Sequence, residues 1–138
     1  MNMIQKALVQ TSFAQIRPIA EAAAALFYRR LFELDPTLRP LFKGDLEEQG
    51  RKLMDMLALA VKGLDRPDAL LPALATLGRR HAGYGVNEHD YETVGEALIW
   101  TLEQGLGPSF TTEIREAWAA LYRLVADTMR GACVEAAY

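Results

Sequence analysis

The 138-residue sequence predicts an all-α domain. Apolar residues recur at spacings of three and four along nearly the whole chain. No stretch alternates with the period of two that a half-buried strand needs, and the only punctuation is Pro and Gly. Ile4, Leu8, Phe13 and Ile16 mark a first helix. Pro18 then starts or kinks a second, whose stripe includes Ile19, Leu26, Phe27 and Leu31. Asp35 followed by Pro36 reads as the N-cap and first-turn proline of a short helix ending near Leu41 and Phe42. Lys43, Gly44 and Asp45 make a corner before a longer helix that carries Leu46, Leu53, Leu57, Ala60 and Val61 and stops at Gly63.

Asp65 and Pro67 restart the chain. Leu70, Leu71, Leu74, Leu77, Gly78 and His81 share one side of the next helix, which ends where Gly83 and Gly85 free the backbone. Asn87 caps a helix bearing Tyr91, Val94, Leu98 and Leu102, closed by Gly107 and Pro108. The last helix begins near Thr111 or Thr112 and runs through Ile114, Trp118, Leu121, Tyr122, Val125, Met129 and Cys133. The total is about seven helices, with no repeat, linker or low-complexity stretch, so residues 1–138 are expected to form a single domain.

With 51% hydrophobic and 24% charged residues the chain has a globular balance. At this length the radius of gyration is about 14 Å and roughly two-thirds of the unfolded surface is buried, so the core is large enough to enclose a cofactor. Fifteen Lys and Arg against eighteen Asp and Glu give a net charge of −3. No run of like charge tracks phosphates, which excludes nucleic acid as an expected partner. The opening MNMIQKALVQTSFAQIRPIA is broken by polar residues and lacks the apolar core of a secretory signal. The most apolar stretch, Ile19 to Tyr28, carries Glu21, so no membrane span is expected. One cysteine and two histidines cannot build a disulfide or a structural zinc site. The expected compartment is reducing and cytoplasmic, and any metal must bring most of its own ligands.

His81 continues the stripe of Leu70, Leu74 and Leu77 and therefore points inward, where an imidazole needs a partner. Two readings stand open. His81 is a neutral core histidine bonded to a carbonyl or carboxylate, or it is the one protein ligand of an iron porphyrin that supplies four nitrogens itself. His89, among Asn87, Glu88 and Asp90, reads as solvated. Gln49 and Leu53 lie one turn apart on one helix, and Tyr28 sits within the apolar second helix. Singly, Gln49 is a flank residue and Tyr28 a packing aromatic. Tyr91 and Glu135 are candidates to stand behind His81, because a metal-bound imidazole donates its other N–H to an acceptor. Taken alone they are a core aromatic and a tail carboxylate, and Cys133 is a small apolar residue near the chain end.

Order and spacing add what single residues do not. The segments are LFYRRLFELDP with Tyr28, PLF ending in Phe42, EEQGRKL with Gln49 and Leu53, LGRRHAGYGV with His81, HDYETVGEAL with Tyr91, and AWAALYRLVADTM with Trp118. Ten residues separate His81 from Tyr91, and seventeen separate Trp118 from Glu135. Through these the chain resembles a globin over residues 3–138, specifically the single-domain bacterial globins related to the haem domain of flavohaemoglobins.

The resemblance implies a globin fold, three helices over three, enclosing haem b. It makes His81 the proximal iron ligand and Phe42 the aromatic packed on the porphyrin. Tyr28, Gln49 and Leu53 become the distal pocket around a bound gas, Tyr91 and Glu135 the partners behind His81, and Val86 and Val94 wall positions. Dioxygen, nitric oxide and carbon monoxide are the implied ligands. The sequence stops at Tyr138, near where flavohaemoglobins continue towards their reductase domains, so a separate electron-donating reductase is expected. Arg80 stands where that group usually has Lys. The implied activity is nitric oxide detoxification by dioxygenation. The alternatives are an oxygen storage or delivery protein and, more remotely, a haem-free helical interaction domain. Weak peroxidase activity accompanies any haem with an open distal position.

Overall fold

In a computed structural model, described over residues 1–42, 44–83 and 87–137 with the side chains of 82, 83 and 132–137 set aside, nearly all the chain is helical. The α-helices are α1 (Met3–Ile16), α2 (Ala20–Leu34), α3 (Leu46–Gly63), α4 (Pro67–Gly83), α5 (Glu88–Leu106) and α6 (Thr112–Ala137). Tighter 3-10 turns occupy Arg17–Ile19, Pro36–Leu41 and Gly107–Ser109. Among the described residues there is no strand. The short helix expected after Asp35 is a 3-10 turn rather than a seventh α-helix, since Pro40 removes a backbone donor from its middle. Lys43 and Gly85, assigned to corners from the sequence, lie outside the described residues.

Side-chain caps fix where several helices begin. Asp35 and Asp45 accept the backbone N–H two residues ahead, each at 3.0 Å. Asn87 and Asp90 bond reciprocally at the start of α5, at 3.0 and 3.1 Å. A second reciprocal box, Asn2 with Gln5, opens α1 and had no counterpart in the sequence reading.

α4 packs chiefly on α6, α2 lies across α5 and α3, and α1 rests on α6, which gives the three-over-three arrangement. The core is centred on Trp118, Leu31, Leu74, Leu121 and Ile16. Trp118 donates its indole N–H to the Ser12 hydroxyl at 2.8 Å, and Ser12 in turn donates to the Leu8 carbonyl at 2.6 Å. Two buried polar groups are thereby satisfied and α1 is tied to α6. The seat of α4 on α6 is closer still. A Cβ at Gly78 would lie 2.6 Å from the Met129 Cα and 2.8 Å from its carbonyl carbon, so only glycine permits this approach.

Three stripe residues point outward instead of into the core: Ile4 is 72% exposed, Ile19 41% and Leu71 39%. Consecutive residues on a helix lie about 100° apart, so with Leu70 buried its neighbour Leu71 faces solvent. Val9, Phe13 and Ile16 carry the burial of α1.

Candidate functional site

α3 and α4 follow one another in the chain yet make little contact beyond one end. That end is Gly63, where a Cβ would meet the Leu70 Cβ at 2.9 Å. Elsewhere α4 leans on α6. Leu53 and Met56 of α3 and Leu77 and His81 of α4 are half-buried.

On the α4 side, the His81 Nδ1 lies 2.9 Å from the Leu77 carbonyl. A carbonyl only accepts, so Nδ1 carries the hydrogen of this bond and the neutral ring holds its lone pair on Nε2. That is the form in which imidazole binds a metal, with the ring orientation fixed by its own helix. Among the described residues, no three His, Cys, Asp or Glu side chains converge to hold an ion. A metal at His81 therefore needs a cofactor that brings the other donors, and a tetrapyrrole has the donor set that fits.

On the α2 and α3 side the structure brings together three residues that the sequence presented separately. The Tyr28 hydroxyl donates to the backbone carbonyl of Gln49 at 3.1 Å. Its ring packs against Phe27 at 5.1 Å and Phe42 at 5.3 Å between centroids, both edge-on. Phe32 stacks on it at 6.1 Å. Burial pushes the Tyr28 phenol up to about 12, so it is a neutral donor across the ordinary pH range. The approach that sets this geometry is at Gly50, where a Cβ would meet Ala24 at 2.9 Å. Gln49 takes part through its carbonyl, a contact no side-chain pattern reveals.

Leu53 and Val94 line one interior cavity of about 40 Å³, together with Phe27, Met56, Leu57, Leu98 and the rings of Trp118 and Tyr122. A single water needs about 10 to 15 Å³ on this measure, so a diatomic molecule fits. No charged side chain reaches the cavity. A larger groove, about 660 Å³, runs on the other side of α2 and α3 and touches Tyr28 from behind. Its rim carries Glu21, Arg29, Glu47, Arg51 and Asp55, charges of both signs that belong to a solvated surface.

Tyr91 is buried in the first turn of α5. Its carbonyl accepts the Tyr122 hydroxyl at 2.6 Å. The guanidinium of Arg130 lies 5.4 Å from the Tyr91 ring centroid. Burial raises the Tyr122 phenol well above its ordinary value. Neither Tyr122 nor Arg130 received a role from the sequence. Tyr122 lies one turn after Trp118 in a segment that stood out, but its partner is 31 residues away. Val86 and the side chains of Glu135 and Cys133 lie outside the described residues. His89 is exposed, with Nδ1 3.8 Å from the Glu92 carboxylate.

Comparison with known proteins agrees with this geometry. A family model described as Globin matches residues 25–129. Neuroglobin of Danio rerio is 34% identical over 138 aligned positions, covering 90% of this chain and 87% of its own. A flavohemoprotein of Chromobacterium violaceum is 31% identical over 130 positions, covering 91% of this chain. The match takes in only 32% of that flavohemoprotein, so this chain spans about a third of such a relative. Among solved structures, an engineered carbene transferase from Rhodothermus marinus, itself named as a proposed nitric oxide dioxygenase, superposes with a TM-score of 0.85. It is 30% identical, over 99% of this chain and 97% of its own.

Proposed function

This chain belongs to the globin family, and from that premise we propose that it is a single-domain haem b protein, residues 1–138, that binds dioxygen, nitric oxide and carbon monoxide. When bound, the haem supplies an iron that takes up diatomic gases and exchanges single electrons. The observation that carries the reading is the local setting of two side chains, one on α4 and one on α2. His81 is held as the Nδ1–H tautomer by Leu77, and Tyr28 is a buried neutral phenol beside Gln49 and Phe42.

In this reading His81 would hold the iron through Nε2, with its ring oriented by the Nδ1 hydrogen bond to the Leu77 carbonyl. Phe42 would pack on the porphyrin, and Leu53, Val94 and Val86, the last outside the described residues, would wall it and exclude water. Tyr28 would be the donor to a bound gas once its one hydrogen turns from the Gln49 carbonyl, and Gln49 would donate beside it or orient it. Tyr91 and Glu135 would be the acceptors behind His81, where acceptors raise the basicity of a metal-bound imidazole; the Glu135 side chain lies outside the described residues. The protein works in the cytoplasm. Among the described residues no helix is long and apolar enough to cross a membrane.

The activity we infer is dioxygenation of nitric oxide to nitrate, with electrons from a separate reductase and weak peroxidase activity as a side property. Its support is the likeness to a flavohemoprotein and to a structure named for that chemistry. Oxygen binding or delivery without turnover is the second reading. The match to neuroglobin, over 90% of this chain and 87% of that protein, supports it. A haem-free interaction domain would leave the preset tautomer of His81 without a use.

The test is nitric oxide consumption by the haem-loaded chain in air, with NADH and a flavin reductase added. Many turnovers, with nitrate formed in step and lost in Tyr28→Phe, support dioxygenation. Consumption that stops after one equivalent despite the reductase rejects it and leaves gas binding alone.

A further inference from the structure

We propose that Gly50 is a positioning residue: by letting α3 lie close on α2 it holds the Gln49 carbonyl against the Tyr28 hydroxyl as a rival acceptor, and so sets how fast a bound gas is released. The proposal rests on the role given above to Tyr28.

A phenol has one hydrogen to give. In this structure it goes to the Gln49 carbonyl at 3.1 Å, at the long end for a bond between two oxygens. Burial keeps the phenol neutral, so the hydrogen stays on the oxygen across the ordinary pH range. The ring is gripped by Phe27 and Phe32 of its own helix and by Phe42, with centroids 5.1, 6.1 and 5.3 Å away. Only the O–H bond is left to turn. A donor fixed in this way serves one acceptor at a time, and whatever strengthens its bond to the carbonyl weakens its hold on a gas.

The carbonyl is brought to the hydroxyl by the residue that follows it. A Cβ at Gly50 would lie 2.9 Å from the Cβ of Ala24 and 4.0 Å from Cε2 of Tyr28, and Ala24 stands one turn before Tyr28 on α2. Ordinary contact starts at 3.4 Å, so with alanine at this position the two helices must part by about 0.5 to 1 Å. The Tyr28 ring stays with α2 while the Gln49 carbonyl leaves with α3. That opens the bond from 3.1 Å to about 3.6 Å or more, beyond hydrogen-bond range. Room for the movement is at hand, because Ala24, Tyr28 and Gly50 all border the groove of about 660 Å³.

The two acceptors differ in strength. A polarised dioxygen accepts more strongly than a neutral carbonyl, so the carbonyl weakens the hold on the gas without abolishing it. A neutral hydrogen bond of this kind is worth about two- to tenfold in an equilibrium, which bounds the effect of removing it.

The experiment is infrared spectroscopy of the carbonyl form of the haem-loaded chain, with dioxygen release measured alongside. A hydrogen donated to carbon monoxide lowers its stretching frequency, so each direction of the Tyr28 hydroxyl gives its own band. The parent should show two bands, the lower of which is lost in Tyr28→Phe. Gly50→Ala should move intensity from the higher band to the lower and slow dioxygen release about two- to tenfold. Combining it with Ala24→Gly gives the new methyl its space, and both readouts should return to the parent values. Loosened packing alone would not tighten the hold on a gas. The proposal is wrong if the parent has the lower band alone, if Gly50→Ala leaves the band ratio within twofold of the parent or lowers it, or if Ala24→Gly fails to restore it. The first of these outcomes needs no substitution, so it stands even where Gly50→Ala folds poorly. Tyr28→Phe separates the two levels of the argument. A carbonyl spectrum that it leaves unchanged takes Tyr28 out of the gas pocket and this proposal with it, whereas loss of the lower band in Tyr28→Phe with an unmoved ratio in Gly50→Ala removes this proposal alone.

Discussion

Replacing Gly78 by Ala tests how tightly the helix bearing His81 is seated on α6. The new Cβ would stand 2.6 and 2.8 Å from the Cα and carbonyl carbon of Met129. Ordinary contact is about 3.4 to 4 Å, so the helices must part by about 1 Å. The obstacle is backbone within a helix, which no rotamer change can relieve. Overpacking of this kind costs about 1 to 3 kcal/mol, while Ala over Gly in a helix returns about 0.5 to 1 kcal/mol. With backbone on the far side the upper range of the penalty applies, and the net loss is about 2 kcal/mol. Gly131 supplies the control, because a Cβ there meets nothing within 4 Å. Gly131→Ala should gain about 0.5 to 1 kcal/mol from helix propensity alone. In urea unfolding of the haem-free chain, a slope near 2 kcal/mol per M turns these into a midpoint about 1 M lower for Gly78→Ala and slightly higher for Gly131→Ala. If both variants rise together, the close seat of α4 on α6 is refuted.

Three further expectations can be checked directly. Tyr28→Phe removes a hydrogen bond to a polarised ligand, about 1.5 to 3 kcal/mol, so dioxygen release measured by displacement with carbon monoxide should quicken about 10- to 100-fold. An unchanged off-rate takes Tyr28 out of the ligand pocket. Ser12→Ala leaves the buried Trp118 indole N–H without its acceptor and should cost about 1 to 3 kcal/mol in chemical unfolding; a neutral result means another acceptor replaces it. The third concerns alkaline pH, where the Tyr28 phenol stays protonated to about 12 in the folded chain against 10.0 as its ordinary value. Its contribution is whole below pH 10 and is lost as pH rises through 12, about 3 kcal/mol in all. Unfolding free energies on either side of that window should show the loss in the parent and a smaller one in Tyr28→Phe, with equal losses refuting the assignment.

Helix order and most boundaries could be read from the sequence because they depend on local chemistry. Asp35, Asn87 and Gly107 act where their residue types suggest, whereas α3 ends at Gly63 with Leu64 as its cap and no left-handed glycine. Ile4 and Leu71 misled because a run of apolar residues does not say which of two neighbours faces inward; packing against other helices decides that. The capping box of Asn2 and Gln5 was present in the letters and passed over, since a polar pair at a chain end also reads as fraying.

The site was legible in a different sense. Tyr28, Phe42 and Gln49 could be gathered only through family resemblance, and the contact that joins them uses a main-chain carbonyl. The Tyr122 bond to the Tyr91 carbonyl and the seating of Gly78 on Met129 are long-range and backbone-directed. Neither leaves a periodic trace. The tautomer of His81 was equally hidden, since it follows from where the Leu77 carbonyl points after the helix has formed.

The central claim is that His81 holds haem and that Tyr28 stands on the gas-binding side. The most direct measurement is the visible absorption of the purified chain supplied with haem, in ferric, ferrous and carbonyl forms, beside His81→Ala. A sharp carbonyl-form Soret band with histidine-ligated features, lost or altered in His81→Ala, is the expected result. A spectrum indistinguishable from free haem and unchanged by His81→Ala would contradict the account at its root.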